Sequence, residues 1–296
     1  MKANLSEKRK MKFSMLSILT GCVLLVGCGG SDDNDATTGN NEQTGTPTQP
    51  TPVTASLVNE MSGIALREAL LSGLVDTLIA GGDDVKDGMQ CKTGTLTRTG
   101  NLFHFDQCSG LYEDGENAKV TGDIDISNNS YSYTNFVIAF PDGETQKING
   151  SVKLSNSANV DTAEASKITL DSTEFNSAKK LISVNYTFTD YKLVWTPSDA
   201  THVQLQVSAK LKSTGREGGD FNMAFDNFNT PFNVQKDAED ELVGYPYDGT
   251  LTVTDLNQSK NKITIKAMGV NQKAQYTAIG DQVFDKQVAW DDLLDY

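Results

Sequence analysis

The sequence predicts a mainly β protein: a large curved antiparallel meander sheet, or partial barrel, packed on one N-terminal amphipathic helix. Two observations predict it. After Gln90 the apolar residues recur with period two, in roughly a dozen segments separated by Gly, Asn, Asp and Ser turns. The connections are too short for parallel crossovers, which need about a dozen residues or more. A third observation adds the helix, because residues 57–80 are the one stretch with helical apolar spacing.

Taken in order, the chain begins with a basic start and an apolar run from Phe13 to Val26, closed by Leu25-Val26-Gly27-Cys28. The run is too short to span a bilayer, which takes roughly 20 apolar residues, and has the size and flanks of a secretory signal. Residues 1–10 are either a mis-called upstream stretch before a true start at Met11, or a long basic n-region of a signal that starts at Met1. The segment resembles bacterial lipoprotein signals, whose pattern is Leu, a small or branched residue, Gly or Ala, then Cys. The resemblance implies cleavage before Cys28, a diacylglyceryl thioether on its sulfur and acylation of the new amine. Palmitate-type chains at about 0.8 kcal/mol per buried CH₂ anchor firmly when two or three are present. Leu19-Thr20-Gly21-Cys22 also fits, but the polar tract begins after Cys28. Gly29, rather than Asp, follows Cys28, so by the same analogy the expected location is the outer membrane, on its periplasmic or its surface face.

Residues 28–56 have almost no apolar content and three prolines, so no core forms there and a disordered tether is expected. As a flexible coil it would average ~30 Å end to end. In residues 57–80, Leu57, Met61, Ile64, Leu71, Leu74, Val75 and Leu78 make one stripe, widened by Leu66 and Leu70. Gly81-Gly82 are expected to stop the helix. Gly63 and Gly73 would let another backbone come close. The face lacks the Lys/Arg of membrane-surface helices, so core packing is expected. Residues 57–296 then form one helix-plus-sheet domain.

Cys91 and Cys108 flank two alternating runs around Thr99-Gly100. A hairpin folded there sets residues summing to 199 opposite each other, with Cys91 facing Cys108, so a cross-strand disulfide is expected. Further alternating segments are Lys119–Ile126, Tyr131–Phe140, Lys147–Leu154, Leu181–Trp195, His202–Leu211, Gly249–Val253 and Lys262–Ala267.

A repeat runs through these segments. Gly94-Thr95-Leu96, Gly122-Asp123-Ile124 and Gly150-Ser151-Val152 recur at a 28-residue step, with Gly249-Thr250-Leu251 out of step. A second element recurs as Phe103 to Cys108, Tyr131 to Phe136, Tyr186 to Tyr191 and Met223 to Phe228. In the hairpin register Phe105 would lie across from Gly94 and Tyr133 across from Gly122, rings covering strand glycines. Positions one and three of the second element share a face while position six points away, so β-bulges are expected near Asn135 and Asp190. The pattern is similar to uncharacterised β-rich proteobacterial envelope proteins, a resemblance that implies no activity.

Charge and motifs narrow the function. The chain has 25 basic and 39 acidic residues, and loss of residues 1–27, with five basic and one acidic, leaves 20 and 38, a net of −18. Such a surface repels phosphate backbones, so no nucleic-acid partner is expected. No G-x-S-x-G, H-E-x-x-H or P-loop is present, and the two histidines, His104 and His202, lie in strand segments. No catalytic residue, cofactor or metal ligand is assigned. The nearest candidates for chemistry are the same-face pair Asp123/Asp125, the acidic run at 236–241 and Asp291/Asp292. Three functions remain: a non-enzymatic envelope lipoprotein that binds or assembles with an envelope protein; a carrier or sensor of a hydrophobic ligand held on Tyr131, Tyr133, Tyr186 and Phe188 between helix and sheet; and an envelope polymer hydrolase using paired carboxylates. The first is favoured, with the membrane itself a partner through the lipid on Cys28.

Overall fold

The computed structural model describes residues 52–71, 73–111 and 117–296. Among them, fifteen strands form one open antiparallel sheet, accompanied by three helices. The strands are β1 (Thr93–Thr99), β2 (Leu102–Ser109), β3 (Lys119–Ser127), β4 (Ser130–Ala139), β5 (Thr145–Ser157), β6 (Val160–Phe175), β7 (Leu181–Pro197) and β8 (His202–Thr214). They continue as β9 (Phe221–Asp226), β10 (Phe232–Lys236), β11 (Leu242–Asp248), β12 (Thr250–Asp255), β13 (Lys262–Ala267), β14 (Ala274–Ile279) and β15 (Phe284–Val288). β1 through β9 pair in sequence order, as short connections dictate. The sheet then branches. One half of β8 pairs with β9 along Ser208–Ser213, while its other half pairs with β10 along His202–Leu205. The β10–β11 hairpin leaves the main path there, and β12 returns to pair with β9.

Period-two patterning sets one buried face. In β8, Val203, Leu205, Val207, Ala209, Leu211 and Ser213 are buried while the residues between them face outward. Where the sequence breaks that parity, the backbone inserts a residue. Register shifts fall between Phe105 and Cys108, between Tyr133 and Phe136, and between Thr189 and Lys192. Gln107, Asn135 and Asp190 take left-handed φ of 51°, 45° and 55° at these points. The bulges expected near Asn135 and Asp190 are therefore present, with a third at Gln107.

Two sequence expectations are corrected in the first hairpin. Its turn is Gly100-Asn101, with Gly100 at φ 62°, and its pairs sum to 201, as in Leu96 opposite Phe105. Cys91 consequently lies outside the strand and out of register with Cys108, yet the two form a disulfide with Cα atoms 5.1 Å apart, beside the register shift at Gly94. The rings do cover glycines, on the opposite neighbour: Phe105 faces Gly122 and Tyr133 faces Gly150.

The single helix expected over residues 57–80 is two. α1 spans Ala55–Ala69, capped by Thr54 Oγ1, which accepts from Leu57 N at 3.2 Å; α2 spans Leu74–Lys86. The break at Leu70–Gly73 contains Leu71 at φ 60°. Gly81 and Gly82 do not stop α2 but lie inside it, because a Cβ on Gly82 would sit 2.2 Å from Tyr131 Cδ1 and only glycine admits the ring. Gly63 meets a backbone as expected, the carbonyl of Tyr296. A short α3 (Trp290–Leu294) ends the described chain, and helix and strand residues share one hydrophobic cluster.

Candidate functional site

Cys28 lies outside the described residues. Tyr131, Tyr133, Tyr186 and Phe188 are all buried, at no more than 4% exposure. A buried phenol needs a partner for its hydroxyl, and each of the three finds one. Tyr131 donates to the carboxylate of Asp83, and Tyr133 donates to the carbonyl of Leu78 at 2.5 Å, both on α2. Tyr186 accepts from the Arg216 guanidinium, which also lies 5.6 Å from its ring centroid.

Arg216 opens onto a cluster that sequence spacing does not announce. It stands in the loop after β8 and pairs with Glu60 of α1. Burial pushes the Glu60 carboxyl above its ordinary range in spite of that guanidinium. Two turns along α1, Arg67 Nη1 donates to the carbonyls of Leu294 and Tyr296, at 2.5 and 3.1 Å. Next to it, Glu68 turns into the break between the helices and accepts from Leu74 N at 2.7 Å. It thus caps α2, whose own N-cap Gly73 has no side chain to do so. A Cβ on Gly73 would lie 2.2 Å from that carboxyl, so a side chain there would push Glu68 off the cap. Tyr191, the last residue of the third aromatic element, donates its hydroxyl to Glu68. Burial raises the Glu68 carboxyl to about 7 and holds the Tyr191 phenol far above its ordinary value. Chemically this is a helix cap and two bridging arginines beneath the helices.

The carboxylates singled out by spacing lie elsewhere. Asp123 and Asp125 do share one strand face, and Asp123 Oδ1 meets His104 Nδ1 across β2–β3 at 2.6 Å, but the pair is solvated. Asp237 caps the turn at 236–241, accepting from the amides of Glu239 and Glu241. Asp291 accepts from Tyr245, so the three candidates do not converge. Among the described residues no three His, Cys, Asp or Glu side chains gather as a metal site. A solvent-open groove of about 430 Å³ runs over β5–β8, with Lys147, Asp171, Asn185 and Thr214 along it and Asn185 donating to Asp171.

Among the described residues, the sheet also leaves backbone open at its edges. β1 lies at one edge of the sheet, and nearly every residue in it is exposed. β15 forms the other edge and β11 the edge of the branch. No family model, curated protein or solved structure matches this chain.

Proposed function

We propose that this protein is a lipoprotein of the cell envelope, anchored to the outer membrane through Cys28, whose β domain is a non-enzymatic binding or assembly module. The observation that carries the binding half is the exposed edge strand β1, since a free edge is a ready surface for another chain. The anchoring half is carried by Leu25-Val26-Gly27-Cys28 at the end of its apolar run. With it goes a finer reading of the architecture: the bulges bend the sheet around the helix pair, which fills the hollow a partial barrel would otherwise leave. Burial of the four aromatic residues, with the three hydroxyls engaged, supports the module over the hydrophobic-ligand carrier. The scattered carboxylates argue in the same direction against a hydrolase.

The anchor is tested with the full chain and its Cys28→Ser variant in cells fed radiolabelled palmitate. The parent is expected to take label and sediment with outer membranes, while Cys28→Ser takes none and leaves the membrane fraction. Processed, membrane-bound Cys28→Ser would sink the reading.

A further inference from the structure

Edge strands leave a row of N–H and C=O groups unpaired, and proteins guard such rows with proline, charge or irregular backbone. Of the three edges among the described residues, two are guarded. β11 carries Pro246 and Gly244, the latter at φ 73°. β15 carries Asp285 and Lys286 in a strand of five. β1 reads Thr-Gly-Thr-Leu-Thr-Arg-Thr, with no proline and no acid. Its one charge, Arg98, lies over the Phe103 ring at 5.0 Å from the centroid. Four β-branched threonines favour the extended strand.

We propose that two copies of this chain pair antiparallel through β1, about a twofold axis at Leu96. This names the partner for the edge-binding module proposed above and rests on that reading. The hairpin fixes which groups are free. A two-residue turn makes Thr99 and Leu102 the closing hydrogen-bonded pair, so Thr97 and Thr95 also bond to β2. Leu96 and Arg98 therefore aim their N–H and C=O outward, and Gly94 follows them in phase. β1 is seven residues long with Leu96 at its centre, so the register of full overlap sets Leu96 against its own copy. Arg98 then faces Gly94 of the other copy, and threonines face threonines outside these pairs. A register moved four residues along would put Arg98 against Arg98. Leu96 shares a face with Phe103 and Phe105 and is packed partly on the core, so the pairing carries the buried face across the axis. The chain's net charge of −14 opposes the approach of two copies, so association strengthens as salt screens it. Anchoring both copies in one membrane raises their effective concentration.

The test introduces cysteine in the full chain, expressed in its own envelope. Hydrogen-bonded antiparallel partners have Cα atoms about 5.5 Å apart, within disulfide range. Leu96→Cys is therefore expected to give a reducible dimer on a non-reducing gel, while Thr99→Cys, displaced from the axis, gives none. Absence of the Leu96→Cys dimer, or equal dimer from both, overturns the proposal. A reducible adduct of Leu96→Cys with a different protein also overturns it, and leaves the module reading intact. As a second variant, Leu96→Pro deletes an N–H that β2 does not use. It is expected to sediment in detergent as a monomer, at higher salt as well, where the parent is a dimer; a dimeric Leu96→Pro overturns the proposal. Failure of the anchor appears separately, in the fractionation of Cys28→Ser, which does not involve residue 96.

Discussion

Glu68 is held by groups that the chain brings from three places: the Leu74 amide six residues on, the missing side chain of Gly73, and the Tyr191 hydroxyl from the middle of the sheet. Its carboxyl titrates at about 7 when folded against about 4.5 unfolded, so the folded state binds the proton more tightly. Stability from this group is full below about 4.5 and falls as pH rises towards 7, the reverse of a salt-bridged acid. Glu68→Gln keeps an acceptor for Leu74 N and removes the titration. Its melting temperature relative to the parent is expected to climb by several degrees between pH 4.5 and 7 and to stay level above; thermal melts across that range check it, and a constant difference would contradict the assignment. None of this was legible in the sequence. Spacing singled out Asp123, Asp125 and the 236–241 run because their neighbours are close in the chain, whereas Glu68–Tyr191 and Glu60–Arg216 are contacts made only by folding.

At the scale of elements, helix propensity and packing give opposite signs at Gly82. Alanine in a helix interior gains about 1 kcal/mol over glycine, but here its methyl would enter the Tyr131 ring at 2.2 Å. Overpacking of this kind costs about 1–3 kcal/mol, and the Tyr131–Asp83 hydrogen bond would be displaced with it. Gly82→Ala is expected to lower the denaturation midpoint by an amount worth about 1 kcal/mol or more, as read by urea unfolding; a raised midpoint would mean the ring gives way freely. The same contact explains why the sequence misplaced the helix end. A Gly-Gly pair reads locally as a stop, and only the ring facing it from β4 shows why glycine is there. Strands fared differently. Alternation reveals which side chains share a face, and the aromatic element's odd parity revealed the bulges at Asn135 and Asp190. It does not reveal which neighbour a glycine faces, since both flanking strands offer a position of the same parity, so Phe105 met Gly122 rather than Gly94.

Over the whole molecule, the helix pair links distant parts of the sheet. α2 meets β3, β4 and β5, whereas α1 meets β8, β9, β12, β13 and α3. A sheet path that runs from β1 to β15 thus has its two halves joined off the sheet as well as along it. Loss of either half strips cover from the helices that the other half needs, so unfolding is expected to be a single transition. Trp195 in β7 pairs with Leu205 and Trp290 in α3 packs on Phe232, which faces that same Leu205, so both tryptophans report on the α1 side. Their fluorescence is expected to trace one denaturant curve coincident with far-ultraviolet circular dichroism, which reports on the whole sheet; separated midpoints would show that the halves unfold independently. The meander was legible because short connections force neighbouring strands together. The branch at β8 was not, because sharing one strand edge between β9 and β10 depends on lengths of pairing that alternation does not encode.

The 28-residue step joins β1 to β3 and β5 at Gly94, Gly122 and Gly150, so each period holds two strands, one up and one down. Gly94, Gly122 and Gly150 open the periods with φ of 79°, 106° and 136°, each pressed against a carbonyl of the strand that follows. A duplication or loss of one such unit therefore preserves strand direction, the inward face and the glycine-to-ring contact at the new seam. A change of half a unit reverses the strand and inverts the pattern downstream. Sheet width is in this sense a countable quantity, open to change by whole hairpins, and gene-level tandem duplication offers it a route that leaves every register intact.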